Sequence, residues 1–482
     1  MGQFGLTAYG SYLPFQSISR QAIFDQIGWI QGGLKAYAKG KRSYADWDED
    51  AVTLAVAAAR QLLNTTDAAQ VQNLSFASTT APFLDRSNAG IVAAALDLAD
   101  RTHCHDSSGS QRAALAPLVA ACHNQSDGLL IAAGEKKPVQ PANVMEMLAG
   151  DAGAAVLTGS ENVIAELLGA QSVRSDFVDH YRTAESGTDY VLEERWVREE
   201  GLAKIAAPLI ASLLADNNMS VEDIDHFILP VAYPSHARAI ARTCGIKEDA
   251  VADALFTDCG FSGVAHPFLM LNDCLDRAAP DSLILLTGFG QGMDAILLRT
   301  TEHISNYQAS ITVQDFMTNL RIEDNYPRFL ASNGQFHPDW GMRAERDNRT
   351  AQTVAFDKSR DIYGLVGGFC TSCQTPQFPK ARRCVNPECN ALDTQQDYRF
   401  ADIPATVKSF TEDWMAFNRN PPLIYGNISF EGGGNMFIEM TGFAPGDIAI
   451  GDKVEMDFRI KDIDDKRGFH RYFWKAAAKR KM

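Results

Sequence analysis

The sequence lacks two features: an apolar run long enough to cross a membrane and a surplus of positive charge. Its 482 residues include 44 Lys and Arg against 60 Asp and Glu, a formal net charge of −16. A membrane helix needs roughly 18–20 consecutive apolar residues, and an acidic balance argues against a surface for polyanions. The start, Met1 to Thr7, has neither signal-peptide character nor the Ser or Thr at position 6 that N-myristoylation requires. We therefore expect a cytoplasmic protein with no membrane and no nucleic-acid partner.

Cysteine is sparse through most of the chain and then clustered. Five of the nine cysteines are scattered over the first 300 residues, and the odd total argues against a disulfide framework. The other four form two close pairs, Cys370 with Cys373 and Cys384 with Cys389. Two thiolate pairs on tight turns are typical of a closed, tetrahedral structural zinc site, whereas free thiols on a loop are the alternative. The pattern predicts zinc as a structural cofactor.

Titratable side chains precede a predicted helix in the stretch Arg101-Thr-His-Cys-His-Asp-Ser-Ser-Gly-Ser110. The helical pattern follows at once, over residues 111–122. Unpaired backbone N–H groups at a helix N-terminus favour an anion, lower a thiol pKa and can hold an oxyanion. Cys104, His105 and Asp106 are therefore candidate catalytic residues. The alternative is that Asp106 only caps a helix.

The first 300 residues contain one order of elements twice, which indicates an internal duplication. The matching pairs are helices 49–64 and 199–217, strands 70–77 and 223–229, helices 87–98 and 235–245, strands 127–134 and 281–288, and strands 151–158 and 293–300. In this register Asp106 corresponds to Gly260, and Gly109 corresponds to Gly263. Two copies of one α/β half would bring these two loops together at a shared site.

The remaining chain changes composition twice. We expect domains at 1–305 (with pseudo-repeats of about 1–160 and 161–305), a connector at 306–360 with helix 313–321, a zinc ribbon at 361–400 and a β domain at 401–482. Short β-type runs separated by Gly-containing turns suggest a small barrel of the OB kind. Upstream, the acidic residues 46–50 suit the N-terminus of a predicted helix over 51–63. The basic tail, Lys475–Lys481, is expected to be a solvated end.

These residues carry two resemblances. Residues 3–300 resemble the thiolase superfamily, on its hydroxymethylglutaryl-CoA synthase and ketoacyl synthase III side, through the duplicated halves, the loop and helix at 104–110, Gly150-Asp-Ala-Gly-Ala-Ala-Val-Leu157 and Gly288-Phe-Gly-Gln-Gly292. The C-terminal part resembles the rubredoxin-type zinc ribbon plus OB-fold family that accompanies acyl-CoA thiolases and steroid aldolases. It does so through the four cysteines, Pro421-Pro422 and Arg467-Gly-Phe-His-Arg-Tyr-Phe-Trp-Lys475.

The resemblance implies an α/β fold class, with duplicated α-β-α-β-α layers followed by a zinc ribbon and an OB-fold barrel. It also implies a homodimer, coenzyme A as co-substrate and an acyl-CoA or β-keto acid substrate. At the positions that match the family's catalytic residues, however, this chain has other residues. The nucleophile position falls on Asp106, the family His on Pro230, the Asn or His of the second half on Cys259 or Gly260, and the synthase Glu on Thr79. Hydroxymethylglutaryl-CoA synthase activity is therefore not expected.

Two routes could supply a nucleophile for Claisen-type cleavage. In one, Cys104 is activated by His103 or His105 and forms an acyl-enzyme. In the other, which we favour, Asp106 or His105 deprotonates the thiol of coenzyme A, and that thiol attacks the substrate directly.

Further candidates lie in the second half. His266, in Gly-Val-Ala-His-Pro, resembles a thiolase motif, with a satisfied core histidine as the alternative reading. Tyr233 and His236 could replace the missing family His, although packing or surface roles are the alternative for both. Gly288, Gly290 and Gly292 could bring backbone N–H groups close to coenzyme A.

The resulting hypothesis is a thiolase-like acyltransferase or carbon–carbon lyase. It would carry out CoA-dependent retro-Claisen cleavage of a β-keto acid or β-keto acyl thioester, with an aroyl acetate of aromatic catabolism as the substrate that the resemblance suggests. One rival is retro-aldol cleavage of a β-hydroxyacyl-CoA. The other is a non-catalytic acyl-CoA-binding subunit that needs a partner. We further expect the C-terminal module to cover the acyl-CoA entrance or a dimer groove.

Overall fold

A computed structural model describes residues 3–480 of the chain. The first half of the body contains β1 (Gly5–Tyr12), β2 (Gln16–Ser19), α1 (Arg20–Ile27), β3 (Lys41–Tyr44), α2 (Ala51–Leu63), β4 (Asn73–Ala77), α3 (Asn88–Ala95), β5 (His103–Ser107), α4 (Leu115–Asn124), β6 (Leu129–Glu135), α5 (Val144–Leu148) and β7 (Ala152–Gly159). The second half contains β8 (Ala165–Arg174), β9 (His180–Tyr181), β10 (Tyr190–Val191), α6 (Glu194–Trp196), α7 (Ala203–Asp216), β11 (His226–Ile228), α8 (Pro234–Cys244), α9 (His266–Leu275), β12 (Leu283–Phe289) and β13 (Gly292–Thr300). A π-helical turn, Val197–Leu202, joins α6 to α7.

The body is followed by a connector and two β modules. Their elements are α10 (Val313–Thr318), β14 (Arg321–Ile322), α11 (Tyr326–Ser332), α12 (Gln352–Asp357), α13 (Ser359–Ile362), β15 (Val366–Cys370), β16 (Pro376–Gln377), β17 (Gln395–Arg399), β18 (Ala405–Asp413), β19 (Leu423–Phe430), β20 (Asn435–Thr441), β21 (Lys453–Asp464) and β22 (Phe469–Ala478). Strands β15–β17 form a small three-stranded sheet, and β18–β22 form a closed barrel in the order β18-β19-β20-β22-β21. In the described part of the chain, no helix is both long and apolar enough to cross a membrane.

The duplication appears directly in the main sheet. Its nine strands run in the order β11-β12-β13-β8-β1-β7-β6-β4-β5, so equivalent strands of the two halves lie symmetrically about the β8–β1 pair. The predicted pairs of strands therefore occupy matching places. The counterpart of β5 in the second half is reduced to one parallel bridge between Phe227 and Val251. Strand β5 forms one edge of the sheet.

Helices of each half pack against strands of the other. Helix α4 contacts β8 and β13, and helix α9 contacts β1 and β7. All ten residues of α9 are buried, which suits its apolar sequence. Helix α4 begins at Leu115, four residues later than the sequence predicts, because residues 111–114 form turns. Gln111 therefore lies in a loop and not in the first turn of the helix.

Helix α2 spans the predicted range and shows why it begins at Ala51. Asp50 caps it: the Asp50 carboxylate accepts from the Thr53 N–H at 3.0 Å, and the Thr53 hydroxyl accepts from the Asp50 N–H at 2.9 Å. Such reciprocal capping stabilises a helix start by roughly 1 kcal/mol. The Ala- and Leu-rich helix then packs on β1, β6 and β7.

The barrel docks onto the same acidic turn. Asp48 pairs with Lys475 at 2.9 Å, and the second oxygen of Asp50 accepts from the Tyr472 hydroxyl at 2.6 Å and the His470 Nδ1 at 2.8 Å. Glu49 pairs with Arg459 in the same interface. The acidic residues thus hold the barrel as well as suiting the helix dipole.

The basic tail belongs to this interface too. The Arg480 side chain is buried, its guanidinium lies 4.0 Å from the centre of the Phe15 ring, and it donates to the carbonyl of Leu13. The expectation of a solvated end is therefore wrong for Arg480, because an arginine over aromatic rings is stabilised by cation–π attraction. Lys481 lies outside the described residues.

Candidate active site

A cavity that is partly open to solvent lies between the two halves of the body. Clefts at such boundaries are common sites for small organic ligands. Residues of both halves line it, with apolar side chains over much of the wall and titratable groups over the rest. They are Gln111, Lys137, Met145, Asp179, His180, Asp189, Val191, Leu192, Glu194, Val197, Leu202, Pro230, Val231, Ala232, Tyr233, His236, Phe261 and Phe289.

One of the two loops that the repeat pairs contributes to this cavity. Phe261, two residues before Gly263, is in the described lining, together with Phe289 at the end of β12. None of residues 106–109, the other loop, is in the described lining, although Gln111, two residues after that loop, is. The meeting of the two loops at one site therefore stays a prediction.

One wall comes from residues 175–193, which connect β8 to α6 and are called here the β8–α6 segment. Within it, His180 Nδ1 lies 2.7 Å from Asp179 Oδ2. The opposite ring nitrogen, Nε2, lies 3.1 Å from Nε2 of Gln111. An aspartate, an imidazole and an amide therefore form one hydrogen-bonded row at the cavity wall.

Ion pairs hold the β8–α6 segment to the body. Asp189 pairs with Lys137 at 2.7 Å and with Arg182 at 2.9 Å, and Arg182 also donates to the carbonyl of Thr79. Burial opposes ionisation of Asp189, but Lys137 and Arg182 outweigh it and lower its pKa. Asp189 is therefore an anion at neutral pH, and the Lys137 ammonium, almost fully buried, faces the cavity beside it.

The lining also includes two residues that the sequence singled out, Tyr233 and His236. Tyr233 precedes α8 and His236 lies in its first turn, with their rings stacked at 5.1 Å between centroids. Burial, with smaller contributions from Tyr37 and Glu194, raises the pKa of Tyr233 to about 12, so its hydroxyl stays protonated. Burial lowers the pKa of His236 although Glu194, which is hydrogen-bonded to its Nε2, acts in the opposite direction.

Asp106 lies elsewhere, on the exposed edge strand β5. Its carboxylate accepts from the backbone N–H groups of Asn88 (3.0 Å) and Ala89 (2.7 Å), at the start of α3. It also accepts from the Asn88 side-chain amide at 2.8 Å. These contacts agree with the capping alternative, although the helix it caps precedes it in sequence. A catalytic role for Asp106 stays a prediction, and Asp106 is not among the residues that line the cavity.

Cys104 and His105 share this strand. The Cys104 thiol contacts the carbonyl oxygen of Thr102 at 3.5 Å, and burial together with the negative charge of Asp106 raises its pKa. A raised pKa keeps the thiol protonated and weakly nucleophilic. Burial and the neighbouring His103 lower the pKa of His105. Neither residue is among those that line the cavity.

His266 is fully buried at the start of α9, and the hydrogen bonds around it occupy both ring nitrogens. Nε2 lies 3.1 Å from the carbonyl oxygen of Ala254, and Nδ1 lies 3.1 Å from the hydroxyl of Ser262. Burial lowers the pKa of His266 to about 4. These contacts match the alternative of a satisfied core histidine.

The predicted coenzyme A-binding glycines, Gly288, Gly290 and Gly292, lie at the turn between β12 and β13, which packs tightly against its neighbours. A Cβ on Gly290 would lie 2.8 Å from the Ser110 hydroxyl, and one on Gly288 would lie 2.4 Å from a methyl of Leu115. The Gly290 N–H donates to the carbonyl of Gly292, while the Gly290 carbonyl accepts from Ser110 and Arg112. The observed contacts are therefore structural, and binding of coenzyme A by Gly288, Gly290 and Gly292 stays a prediction.

The structure thus brings Tyr233 and His236 to the cavity but not Cys104, His105, Asp106 or His266. Sequence reasoning missed other titratable residues of the lining: Lys137, Asp179, His180, Asp189 and Glu194. The β8–α6 segment carries most of them and has no strong periodicity, so only its density of charged and aromatic residues could have marked it.

The four clustered cysteines do come together. Their sulfur atoms all lie within 4.8 Å of one another, with Cys370 and Cys389 at 3.9 Å and Cys373 and Cys384 at 3.5 Å. Tetrahedral zinc with bonds of about 2.3 Å places sulfurs roughly 3.8 Å apart. Hydroxyls of Thr394 and Thr375 lie 3.2 Å from Cys370 and Cys373, where they can donate to thiolates. The donor set therefore fits zinc.

Comparison with known proteins agrees with this architecture. Residues 214–300 match the family model described as the C-terminal part of 3-oxoacyl-[acyl-carrier-protein] synthase III. Hydroxymethylglutaryl-CoA synthase of Picrophilus torridus is 26% identical over 318 residues, covering 63% of this chain and 89% of that protein. The Archaeoglobus fulgidus hydroxymethylglutaryl-CoA synthase is 27% identical over 320 residues, covering 63% and 91%.

Solved structures show the same fold at low identity. 3-Oxoacyl-(acyl carrier protein) synthase III of Pseudomonas aeruginosa has a TM-score of 0.56 at 19% identity, covering 62% of this chain and 99% of that one. A crystal structure of HMG-CoA synthase complexed with CoA has a TM-score of 0.60 at 16% identity, covering 68% and 90%. The body therefore has a thiolase-like α/β fold with a large mixed sheet, as the sequence resemblance implies.

Proposed function

We propose that this protein is a thiolase-like acyltransferase that uses coenzyme A to cleave a carbon–carbon bond. The reaction is retro-Claisen cleavage of a β-keto acid or β-keto acyl thioester, with an aroyl acetate of aromatic catabolism as one candidate substrate. Relatives named hydroxymethylglutaryl-CoA synthase support chemistry on CoA esters in general. The cavity between the two halves is the candidate site.

The observation that carries this proposal is the composition of the cavity wall. Its described lining contains two imidazoles, a phenol and an ammonium group but no cysteine or serine. With neither thiol nor serine hydroxyl among these residues, the proposal assigns the nucleophile to the thiol of coenzyme A. The sulfur attacks the β-carbonyl carbon of R–CO–CH₂–CO–X, a C–S bond forms, and the adjacent C–C bond breaks. Its electron pair passes to the CH₂–CO–X fragment as an enolate, which takes up the thiol proton to give CH₃–CO–X and R–CO–S-CoA.

Developing negative charge needs donors in such a cavity. The hydroxyl of Tyr233 stays protonated because its pKa is raised to about 12, so it can donate to an oxyanion. The Lys137 ammonium faces the cavity beside Asp189 and supplies positive charge. The apolar wall, which includes Phe261 and Phe289, suits an aromatic or aliphatic acyl group.

A second candidate function fits the same observation. Retro-aldol cleavage of a β-hydroxyacyl-CoA needs a base for the hydroxyl proton and no protein nucleophile. It gives a carbonyl compound and acetyl-CoA without free coenzyme A. Dependence of cleavage on free coenzyme A therefore separates the two functions.

The test is mass spectrometry of products formed by the purified chain. Benzoylacetate, an alkyl β-keto acid, their CoA thioesters and 3-hydroxy-3-phenylpropanoyl-CoA are each supplied with and without free coenzyme A. A new acyl-CoA that requires free coenzyme A supports the retro-Claisen proposal. An aldehyde formed without it transfers the assignment to the retro-aldol reaction. No cleavage of any of these substrates would overturn both and favour the acyl-CoA-binding subunit that needs a partner.

Zinc is proposed as a structural cofactor, held by Cys370, Cys373, Cys384 and Cys389. The contacts around their sulfurs and the soft donor set support it. Elemental analysis should find one zinc per chain. Cys384→Ser should lose the metal and expose residues 366–399 to proteolysis, because metal binding supplies much of the folding free energy of such a module. A metal-free chain with an intact ribbon would contradict the proposal.

A homodimer is proposed through strand β5, which lies at the edge of the main sheet and exposes His103, His105 and Asp106. An uncovered edge strand offers free backbone groups for pairing with a second copy. Light scattering after size exclusion should give a dimer mass, and His105→Pro should shift it toward monomer. A wild-type monomer would refute this assembly.

The expectation that the ribbon and barrel cover the cavity entrance has no support from the lining, because none of the described lining residues comes from residues 361–480.

A further inference from the structure

The β8–α6 segment carries a histidine that neither the sequence motifs nor the family resemblance assigns. We propose that His180 is the residue that carries the proton in the cleavage reaction, with Asp179 as its positioning residue. This inference rests on the proposed function and names the base that the reaction requires. It stands on the hydrogen-bonded row of Asp179, His180 and Gln111 at the cavity wall.

The row fixes which ring nitrogen is free to act. A carboxylate can only accept, so the hydrogen of His180 lies on Nδ1, 2.7 Å from Asp179. The amide nitrogen of Gln111 can only donate, so Nε2 is the acceptor at 3.1 Å. The basic lone pair therefore faces a side chain of the cavity lining, where a thiol or hydroxyl could take the place of the amide.

Gln111 suits both protonation states of this imidazole. Its N–H donates to Nε2 while the ring is neutral. A rotation of the amide by 180° presents its oxygen, which can accept from Nε2–H once the ring is protonated. A carboxylate or an ammonium at position 111 would favour one state only. Residue 111 is thus matched to a group that gains and returns a proton in each cycle.

The cleavage needs no reagent besides the substrate and coenzyme A. Nε2 of His180 takes the proton of the CoA thiol as sulfur attacks the β-carbonyl carbon. The C–C bond breaks, its electron pair becomes the enolate of the shorter fragment, and the imidazolium returns the proton to the α-carbon. Asp179 stabilises the imidazolium by its hydrogen bond to Nδ1.

The second imidazole of the cavity is less suited to this task. His236 directs its Nε2 at Glu194, which also accepts from Arg198 at 2.8 Å, and its ring is almost fully buried against Tyr233. That nitrogen is hydrogen-bonded to a carboxylate and is not directed at an amide that a substrate could displace. The matched control is therefore His123, an exposed histidine in the last turn of α4 that is not among the described lining residues.

The position of His180 depends on the ion pairs of its own segment. Asp189 joins Lys137 to Arg182, and the Leu192 N–H donates to the Asp179 carbonyl at 3.0 Å, which ties the two ends of the segment together. In addition, the side chain of Gln291 donates to the His180 carbonyl at 3.4 Å. These contacts hold the imidazole at the wall before any substrate binds.

The experiment measures a partial reaction as well as complete cleavage. When the substrate is a β-keto acyl-CoA, the shorter fragment is acetyl-CoA. A base that returns a proton to the enolate of acetyl-CoA must also remove an α-proton from acetyl-CoA. The full-length enzyme in D₂O should therefore incorporate deuterium into the acetyl group of added acetyl-CoA. Mass spectrometry follows this exchange for wild type, His180→Gln and His123→Gln. His180→Gln should slow exchange and cleavage together by at least about 100-fold, the usual contribution of a general base. His123→Gln, outside the lining of the cavity, should leave both rates close to those of wild type.

Two more variants separate a chemical role from a structural one. Imidazole added to His180→Gly should restore exchange, and it should have no effect on wild type. Asp179→Asn should slow exchange because an amide can donate to Nδ1 and shift the ring hydrogen to Nε2, while Asp179→Glu should recover part of the rate. Normal exchange and cleavage in His180→Gln would overturn this inference alone. A wild-type chain that neither cleaves nor exchanges would refute the proposed function and this inference with it.

Discussion

Two buried clusters of charge can be compared in this molecule, one at the cavity and one between the body and the barrel. In the interface cluster, Asp48 and Lys475 are each at most 5% exposed and pair at 2.9 Å. In the cavity cluster, Lys137 and Asp189 pair at 2.7 Å, with exposures of 2% and 12%. Both clusters join segments that are distant in sequence, and both depend on pairing to offset desolvation.

The difference is what lies beside the charges. The interface pairs are enclosed by protein, so they determine how the two modules fit together. The cavity pairs border open volume and apolar walls, next to a tyrosine whose pKa is raised and two histidines. Burial and ion pairing by themselves therefore do not distinguish a functional cluster from a structural one, whereas an adjoining cavity does.

The largest expected effect comes from breaking an interface pair. Lys475→Met leaves Asp48 buried without its partner and should lower the free energy of unfolding by about 3–5 kcal/mol. Urea unfolding followed by circular dichroism measures this loss. The double variant Asp48→Leu with Lys475→Leu should recover most of it, because no unpaired charge then remains. A loss below about 1 kcal/mol for Lys475→Met would refute a structural role for the pair.

The next largest effect is expected at the cavity, where a substitution should lower activity without lowering stability. Tyr233→Phe removes one hydroxyl donor from the cavity and should lower kcat for cleavage by about 100-fold, equivalent to about 2.7 kcal/mol. The urea midpoint should stay close to that of wild type, because the ring and its packing on His236 are retained. An unchanged kcat would exclude Tyr233 from the oxyanion site, and a large loss of stability would make it a structural residue.

Acid should weaken the contacts that Asp48 and Asp50 make between the body and the barrel. Burial opposes ionisation of Asp48 and Asp50, but Lys475 and His470 outweigh it and lower both pKa values. Groups with lowered pKa values stabilise the folded state above their ordinary pKa, near 4, and this stabilisation disappears as pH falls through the folded value. Lys475, whose pKa is raised, keeps its contribution until pH exceeds about 10.4. The combined contribution of Asp48, Asp50 and Lys475 should therefore be level from about pH 5 to 10 and fall on the acid side.

The pH prediction has an internal control. Asp50→Asn should make the free energy of unfolding fall less steeply as pH is lowered below about 5, because one of the two responsible carboxylates is gone. The same substitution should lower stability at neutral pH. An acid limb of unchanged slope in this variant would assign the pH dependence to other carboxylates.

The smallest effect is expected at an exposed pair on the barrel. Lys453 and Glu431 pair at 2.9 Å but are 57% and 55% exposed. Lys453→Met should change the free energy of unfolding by less than about 1 kcal/mol and leave cleavage unaffected. A change as large as that of Lys475→Met would show that burial is not what makes the interface pairs important.

The sequence was most informative where structure is local or periodic. The helix over 51–63, the paired strands of the two halves and the cysteine spacing follow from hydrophobic pattern, capping residues and ligand geometry, and the structure has each of them. The start of α4 was predicted four residues early, because composition does not separate the turns at 111–114 from the helix.

The candidate site was less accessible to the same reasoning. The prediction that Asp106 is catalytic assumed that residues 101–110 lie in the active site, at the N-terminus of the helix that follows them. In the structure β5 lies at a sheet edge, and Asp106 caps α3, which precedes it. The contact of His180 with Gln111 joins residues 69 positions apart. Only the tertiary arrangement of the β8–α6 segment brings them together, and no local pattern encodes it.

The most direct test of the central claim, cleavage without a protein nucleophile, is product analysis with and without free coenzyme A in wild type and Cys104→Ala. We expect a new acyl-CoA that forms only when coenzyme A is present and that forms equally well in Cys104→Ala. Loss of the product in Cys104→Ala, together with a covalent acyl adduct on Cys104 in wild type, would contradict it.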